Sequence, residues 1–311
     1  MQPKLIVNIG KLKLKNPVMV ASGTFGYAEE YKDFINLKEL GAIVTKTITL
    51  NPRKGNLPPR TCETPAGMLN SIGLENPGVE VFLKEKLPAL KKTGVPLIVS
   101  IASEGGPEEF VILAKRMDKI KEISAIELNI SCPNIKHSQL PTPNSQLISQ
   151  DPKATYGLVK SVRKATNKTL ITKLSPNVTD IAEIALAAEG AGSDAVCLIN
   201  TLNGMSIDIH TRKAKLGSVT GGLSGPAIRP VAVRMVWEVY QKIKIPIIGI
   251  GGIMDAQTAL EFFLAGASAI QIGTANFVNP KSTIEIIKGI KEYLASNKIK
   301  DIRDLTGTLK I

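Results

Sequence analysis

Ile126-Glu127-Leu128-Asn129-Ile130-Ser131-Cys132-Pro133-Asn134 reads as a buried strand that ends on a hydrogen-bonding amide. Three residues after Asn129 it presents a thiol, on a loop that Pro133 keeps from continuing regularly. Short apolar, β-branched runs of the same kind recur near residues 17–21, 42–46, 96–101, 125–130, 169–174, 194–199, 245–250 and 268–272. Helix-period segments alternate with them near 29–40, 79–92, 107–121, 151–166, 178–190, 229–243 and 255–266, with a last one near 280–294. Eight β/α units imply an α/β fold of the (β/α)8 TIM-barrel type, a closed parallel barrel with residues 1–311 as a single domain. An open doubly wound sheet is the competing arrangement. No GxGxxG fingerprint follows the first strand, however, and eight units of near-equal size suit closure better. The residues before 17 are expected to form a small hairpin flanking the barrel.

Composition narrows the class of function. A chain of 311 residues with 43% hydrophobic content can bury a large core. Its 39 Lys and Arg against 27 Asp and Glu leave a net charge of +12, which suits nucleic acid, an anionic substrate or an acidic partner. The lysines are spread through the helical segments and do not cluster with aromatics, so a solvated basic surface is the simpler reading and no nucleic-acid partner is expected. Cys62, Cys132 and Cys197 are too few and too scattered for a disulfide framework or a CxxC metal site, which favours a reducing cytoplasm. His137 and His210 are the two histidines, and no metal site is expected. Met1 to Lys15 alternates apolar residues with lysines, without the apolar centre of a signal peptide or the run needed for a membrane span.

Three connections are long, at about 47–78, 131–150 and 200–228, and each follows a strand. All three therefore project from the C-terminal rim, where barrels carry their active sites. Lys46 and Lys173 end two of the strands and aim two ammonium groups at that rim, a site for an anion or for a ligand that becomes one. Asn70, Asn129 and Asn200 bring amide donors and acceptors that match the alternating edge of a pyrimidine-like or flavin-like ring. Ile248-Gly249-Ile250-Gly251-Gly252-Ile253 follows strand seven and Gly273-Thr274-Ala275 follows strand eight, each leading into a helix. Bare backbone N–H groups at a helix start suit a phosphate there, hence a phosphorylated cofactor. The turn-rich Thr220-Gly221-Gly222-Leu223-Ser224-Gly225-Pro226 stretch is placed to close over the same ligand. Cys197 lies inside an apolar strand and reads as a small hydrophobe, whereas Cys132 lies in a polar loop where a thiol gains little from burial and suits acid–base work.

Taken together, Ala21-Ser22-Gly23, Lys46-Thr47, Asn70-Ser71-Ile72-Gly73-Leu74-Glu75-Asn76, Asn129 to Asn134, Lys173-Leu174-Ser175-Pro176-Asn177, Asn200-Thr201 and Gly273-Thr274 resemble the FMN-containing dihydroorotate dehydrogenases, from about residue 5 to beyond 300. Cysteine at 132, where the membrane-bound class has serine, resembles the soluble class 1. The 220–236 stretch is most similar to class 1B catalytic subunits. The resemblance implies that Cys132 takes a proton from C5 of (S)-dihydroorotate while C6 delivers hydride to FMN, giving orotate for pyrimidine synthesis. It implies substrate contacts at Lys46, Asn70, Ser71, Ile72, Gly73, Leu74, Asn129, Asn200 and Thr201. It implies FMN contacts at Ser22, Lys46, Thr47, Ser100, Asn129, Lys173, Ile199 and Gly225, with the phosphate on Gly251, Gly252, Gly273 and Thr274. It further implies a homodimer joined to an electron-transfer subunit carrying FAD and a [2Fe-2S] cluster, in a heterotetramer that reduces NAD. Three cysteines cannot supply the four ligands of such a cluster, so the partner is required.

Two stretches depart from the family pattern. Ser100 stands where asparagine is usual, which implies a shorter or water-bridged flavin contact, and Ile135 to Asn144 is longer and richer in proline than the usual glycine-rich stretch. The alternatives are a class 1A homodimer that reduces fumarate, a tRNA-binding dihydrouridine-type flavin reductase suggested by the basic charge, and a flavin-binding protein without catalysis.

Overall fold

The computed structural model describes residues 2–130 and 148–310. Eight parallel strands close into a ring: Val18–Val20, Ala42–Val44, Leu97–Ile101, Ile123–Asn129, Thr169–Lys173, Ala195–Leu198, Ile247–Ile250 and Ala269–Ile272. Each pairs with the next, and the eighth returns to the first through Ile270↔Val18, Gln271↔Met19 and Ile272↔Val20. Every run expected from the sequence is a barrel strand, and the closed ring excludes the open sheet. Apolar residues on both faces are what such a sheet requires, since one face lines the bore and the other meets the helices.

Three of the outer helices begin where acidic side chains satisfy free backbone N–H groups. Asp151 accepts from Lys153 N to start Pro152–Arg163, and Asp180 accepts from Ala182 N to start Ile181–Gly190. Asp255 and Thr258 form a reciprocal capping box at the head of Ala256–Ala265. The expected helix at 29–40 is a correction: only the 3₁₀ turns Glu29–Tyr31 and Leu37–Glu39 form there. Asn36 takes an extended conformation and its side chain accepts from Lys38 N, an alternative backbone partner that interrupts a helix.

One end of the barrel is sealed. The expected N-terminal hairpin pairs Val7–Ile9 with Leu12–Leu14, and Lys11 N donates to Thr169 Oγ1 at the start of strand five. Its turn needs Gly10, where φ is 56° and a Cβ would stand 2.7 Å from Asp194 Cβ. The opposite end is crowned by an antiparallel sheet that the sequence reading did not foresee. Its strand order is Leu202–Met205, Thr220–Ser224, Gly67–Asn70 and Thr61–Thr64, so the connections after strands two and six are woven together above the bore. No helix among the described residues is long and apolar enough to cross a membrane.

Phe262 is fully buried, and a Cβ on Gly249 of strand seven would stand 2.5 Å from its ring. Phe262→Ala should therefore cost about 3–5 kcal/mol in equilibrium urea unfolding, the usual penalty for an emptied aromatic site. A loss below about 1 kcal/mol would contradict this packing.

Candidate active site

Between the C-terminal ends of the strands and the crowning sheet lies a cavity of about 310 Å³. That is within the range of small-molecule sites, which run from roughly 300 to 1,000 Å³. Lys46, Asn70, Asn129, Lys173, Asn200 and Thr201 all line it, as do Ser22, Thr47, Ile199, Gly225 and the Ile72-Gly73-Leu74 segment. The glycines Gly251, Gly252 and Gly273, with Thr274, complete one wall. Ser71 and Ser100 stand behind the lining. Ser71 Oγ accepts from Asn56 Nδ2 at 2.8 Å, and Ser100 Oγ lies 2.9 Å from Thr47 Oγ1. Cys132, the expected base, lies outside the described residues.

The amides are tied into one network. Asn129 Nδ2 donates to Thr47 Oγ1 at 3.2 Å, Asn200 Nδ2 to Asn129 Oδ1 at 3.4 Å, and Asn70 Nδ2 to Gly222 O at 3.3 Å. Thr201 N occupies Asn200 Oδ1 at 2.8 Å, so that carbonyl is fixed by the turn that carries it. Lys173 is only 4% exposed and pairs in register with Asn129 on one side and Cys197 on the other. Its Nζ donates to Ser22 Oγ at 3.2 Å, and among the described residues it forms no ion pair. A buried ammonium with a neutral hydrogen-bond partner gains from any negative charge that a ligand brings near it.

Gly251 and Gly252 have φ of 133° and 70°, conformations that disfavour a side chain. A Cβ on Gly252 would stand 2.7 Å from Gly225 O and 3.0 Å from Arg229 N, at the head of helix Arg229–Tyr240. The backbone there is packed too closely for anything larger than glycine, beside a helix start that favours an anion. Thr274 Oγ1 donates to Ser224 Oγ at 2.8 Å and links this wall to the crowning sheet. A long, mixed cavity with a glycine cradle at one wall and amides with an ammonium at the other fits a phosphorylated flavin beside a small planar substrate.

The sequence reading missed several lining residues, among them Gln271, Met68 and Phe277, whereas Ser224 and Gly225 line the cavity as expected of the 220–226 stretch. Met68 belongs to the unforeseen sheet, where no periodicity announces a rim position. Gln271 was detectable as an amide interrupting the apolar strand Ala269–Ile272. Burial, followed by the Glu127 carboxylate, pushes the Cys197 thiol up, while Lys173 opposes the shift. That agrees with the reading of Cys197 as an inert core residue.

A closed barrel with a glycine cradle after strands seven and eight and an amide-lined bore suits a flavin-dependent barrel oxidoreductase. The chain belongs to the dihydroorotate dehydrogenase family, whose pattern matches residues 4–294. It is 53% identical over 310 residues to a Trichlorobacter lovleyi protein named dihydroorotate dehydrogenase B (NAD(+)), catalytic subunit, covering 100% of both chains. A Geobacter metallireducens protein of the same name is 51% identical over 310 residues, 100% of this chain and 99% of that one. One from Thermoanaerobacter pseudethanolicus is 52% identical over 307 residues, 99% of each.

Gly252→Ala should keep the barrel folded by circular dichroism and weaken flavin retention on the order of tenfold or more, as expected for lost charge-assisted hydrogen bonds. Unchanged affinity by flavin fluorescence titration would remove the cradle from this wall. With its thiol pushed up, Cys197 should stay unmodified by iodoacetamide at about pH 8 while the partly exposed Cys62 reacts. Mass spectrometry of the native chain checks this, and equal labelling of the two would contradict it.

Proposed function

We propose that this chain oxidises (S)-dihydroorotate to orotate in pyrimidine synthesis, with FMN as its flavin, and that it does so as the catalytic subunit of an NAD-linked enzyme. The observation that carries this reading is the buried Lys173 ammonium, set among Ser22, Asn129 and Asn200 in the cavity whose far wall is the glycine cradle. Such a floor is costly to bury and becomes favourable where a ligand gains negative charge.

FMN, when bound, supplies the acceptor for the hydrogen and electron pair that leave C6 of the substrate. Gly251, Gly252, Gly273 and Thr274 would hold its phosphate, and Ser22, Thr47, Ile199 and Gly225 its ring and ribityl chain, with Ser100 acting from behind Thr47. Lys46, Asn70, Asn129, Asn200 and Thr201, with the Ser71 to Leu74 turn, would hold the pyrimidine ring and carboxylate by their amide and ammonium donors. Cys132 follows Asn129 by three residues in the chain, and we assign its Sγ the C5 proton. Removing that proton as the C6 bond breaks yields the C5=C6 double bond of orotate. Lys173 favours the negative charge that accumulates in the cavity, and the crowning sheet excludes water from it.

We further propose a homodimeric core within a heterotetramer, whose second subunit carries FAD and a [2Fe-2S] cluster and passes electrons to NAD. Three cysteines in this chain fall short of the four ligands such a cluster takes. The names of the relatives, each a catalytic subunit, accord with a second subunit. A reducing cytoplasm suits Cys62 and Cys197, which are unpaired.

Cys132→Ala should give a yellow, folded protein whose flavin is reduced by dihydroorotate more slowly by a factor on the order of 10²–10⁴, the usual contribution of a positioned base. Anaerobic stopped-flow absorbance reads this directly, and an unaltered rate would reject Cys132 as the base. Lys173→Ala should lower both flavin retention and rate.

A further inference from the structure

Below the cavity floor the bore holds a charged residue that the mechanism does not use. Glu127, in the middle of strand four, is 0% exposed, and so is Gln271 on strand eight. These two strands stand opposite each other in the ring of eight, and Gln271 Nε2 donates to Glu127 Oε2 at 2.8 Å across the bore. The orientation of the Gln271 amide follows from chemistry, because a carboxylate oxygen accepts only from its nitrogen end. Glu127 Oε1 and Gln271 Oε1 are both left without a hydrogen-bond partner among the described residues.

Glu127 lies in register with Ile171, two residues before Lys173 on the same strand. It is thus the diagonal neighbour of Lys173 on the face that lines the bore, with Cα atoms roughly 7–8 Å apart by ordinary strand spacing. Cys197, beside Lys173 on strand six, feels both groups, with the carboxylate raising its thiol and the ammonium lowering it. Opposite charges at this separation, shielded from water by the sealed lower end, interact more strongly than on a surface. Nothing in the packing of an apolar bore requires a carboxylate, and burying one with a single hydrogen bond is unfavourable.

We propose that Glu127, tethered by Gln271 across the barrel, is the buried counter-charge of Lys173, a positioning residue that restrains the pull of that ammonium on the flavin and so lowers the flavin's electron affinity. The inference rests on the flavin reading given above. Reduction adds negative charge to the cavity. Lys173 favours it, and a carboxylate that partly neutralises Lys173 disfavours it. The restraint would leave the flavin able to pass its electrons on after each turnover, where an unrestrained ammonium would hold them.

The test is the flavin reduction equilibrium of the FMN-saturated chain, measured anaerobically against a redox dye. Glu127→Gln removes the charge and keeps the shape. It should make the flavin easier to reduce by about tenfold in the equilibrium constant, which is about 30 mV upward for a two-electron couple. The same substitution in a Lys173→Met background should shift the equilibrium by less than about threefold, because the restrained group is gone. Should Glu127→Gln fail to fold, Glu127→Met with Gln271→Leu removes charge and tether together, leaves no buried polar atom unpaired, and should give the same upward shift. An unmoved equilibrium in a folded charge-removed variant, or an equal shift with and without Lys173, would overturn the proposal. A wild-type chain that takes up no flavin would overturn the functional reading and this inference with it, whereas flavin bound with an unmoved equilibrium would overturn this inference alone.

Discussion

Closing eight parallel strands on themselves leaves one sheltered place where polar side chains can meet, the open end of the bore. Each strand of the ring is paired on both sides, and the lower mouth is stopped by the hairpin that Lys11 and Gly10 pin against strands five and six. Side chains at the C-terminal ends of the strands therefore converge under the crowning sheet, where Asn129 and Lys173 stand side by side in register. The burial of Lys173 without an ion pair among the described residues follows from that closure, and it is what makes the cavity receptive to a ligand that gains electrons.

The crowning sheet turns an open rim into a pocket. Two long connections are costly to order separately, but joined as four antiparallel strands they satisfy their own backbone and share one register. Gly222 pairs with Asn70 in that register, so the loop after strand two and the loop after strand six meet at a residue that lines the cavity. The Thr274 hydroxyl donates to Ser224 and binds the sheet to the cradle after strand eight. Cradle, floor and roof are thereby one mechanical unit, which favours holding two ring systems in fixed relation.

The fold was legible because each barrel strand carries its own local signal, an apolar β-branched run between turn residues, and eight such runs admit few arrangements. Lys46, Lys173, Asn129 and Asn200 were legible for the same reason, since a polar residue closing an apolar run must stand at the rim. The crowning sheet was not, because Thr61–Thr64 and Thr220–Ser224 have no clean alternation and their partners lie far apart in the chain. Around Asn36, local side-chain bonding overrode a helical pattern. Gln271 and Glu127 sit within strands, where a lone polar residue does not reveal which strand it faces. Their pairing across the ring needed the closed geometry.

The central claim is that a single pocket above the barrel holds a flavin and a dihydropyrimidine carboxylate in contact. It is tested most directly by anaerobic titration of the purified, flavin-loaded chain with (S)-dihydroorotate, following flavin absorbance. The yellow absorbance should bleach in proportion to added substrate, with orotate formed in equal amount. Absorbance that stays unchanged at saturating dihydroorotate, in a chain that retains its flavin, would contradict it.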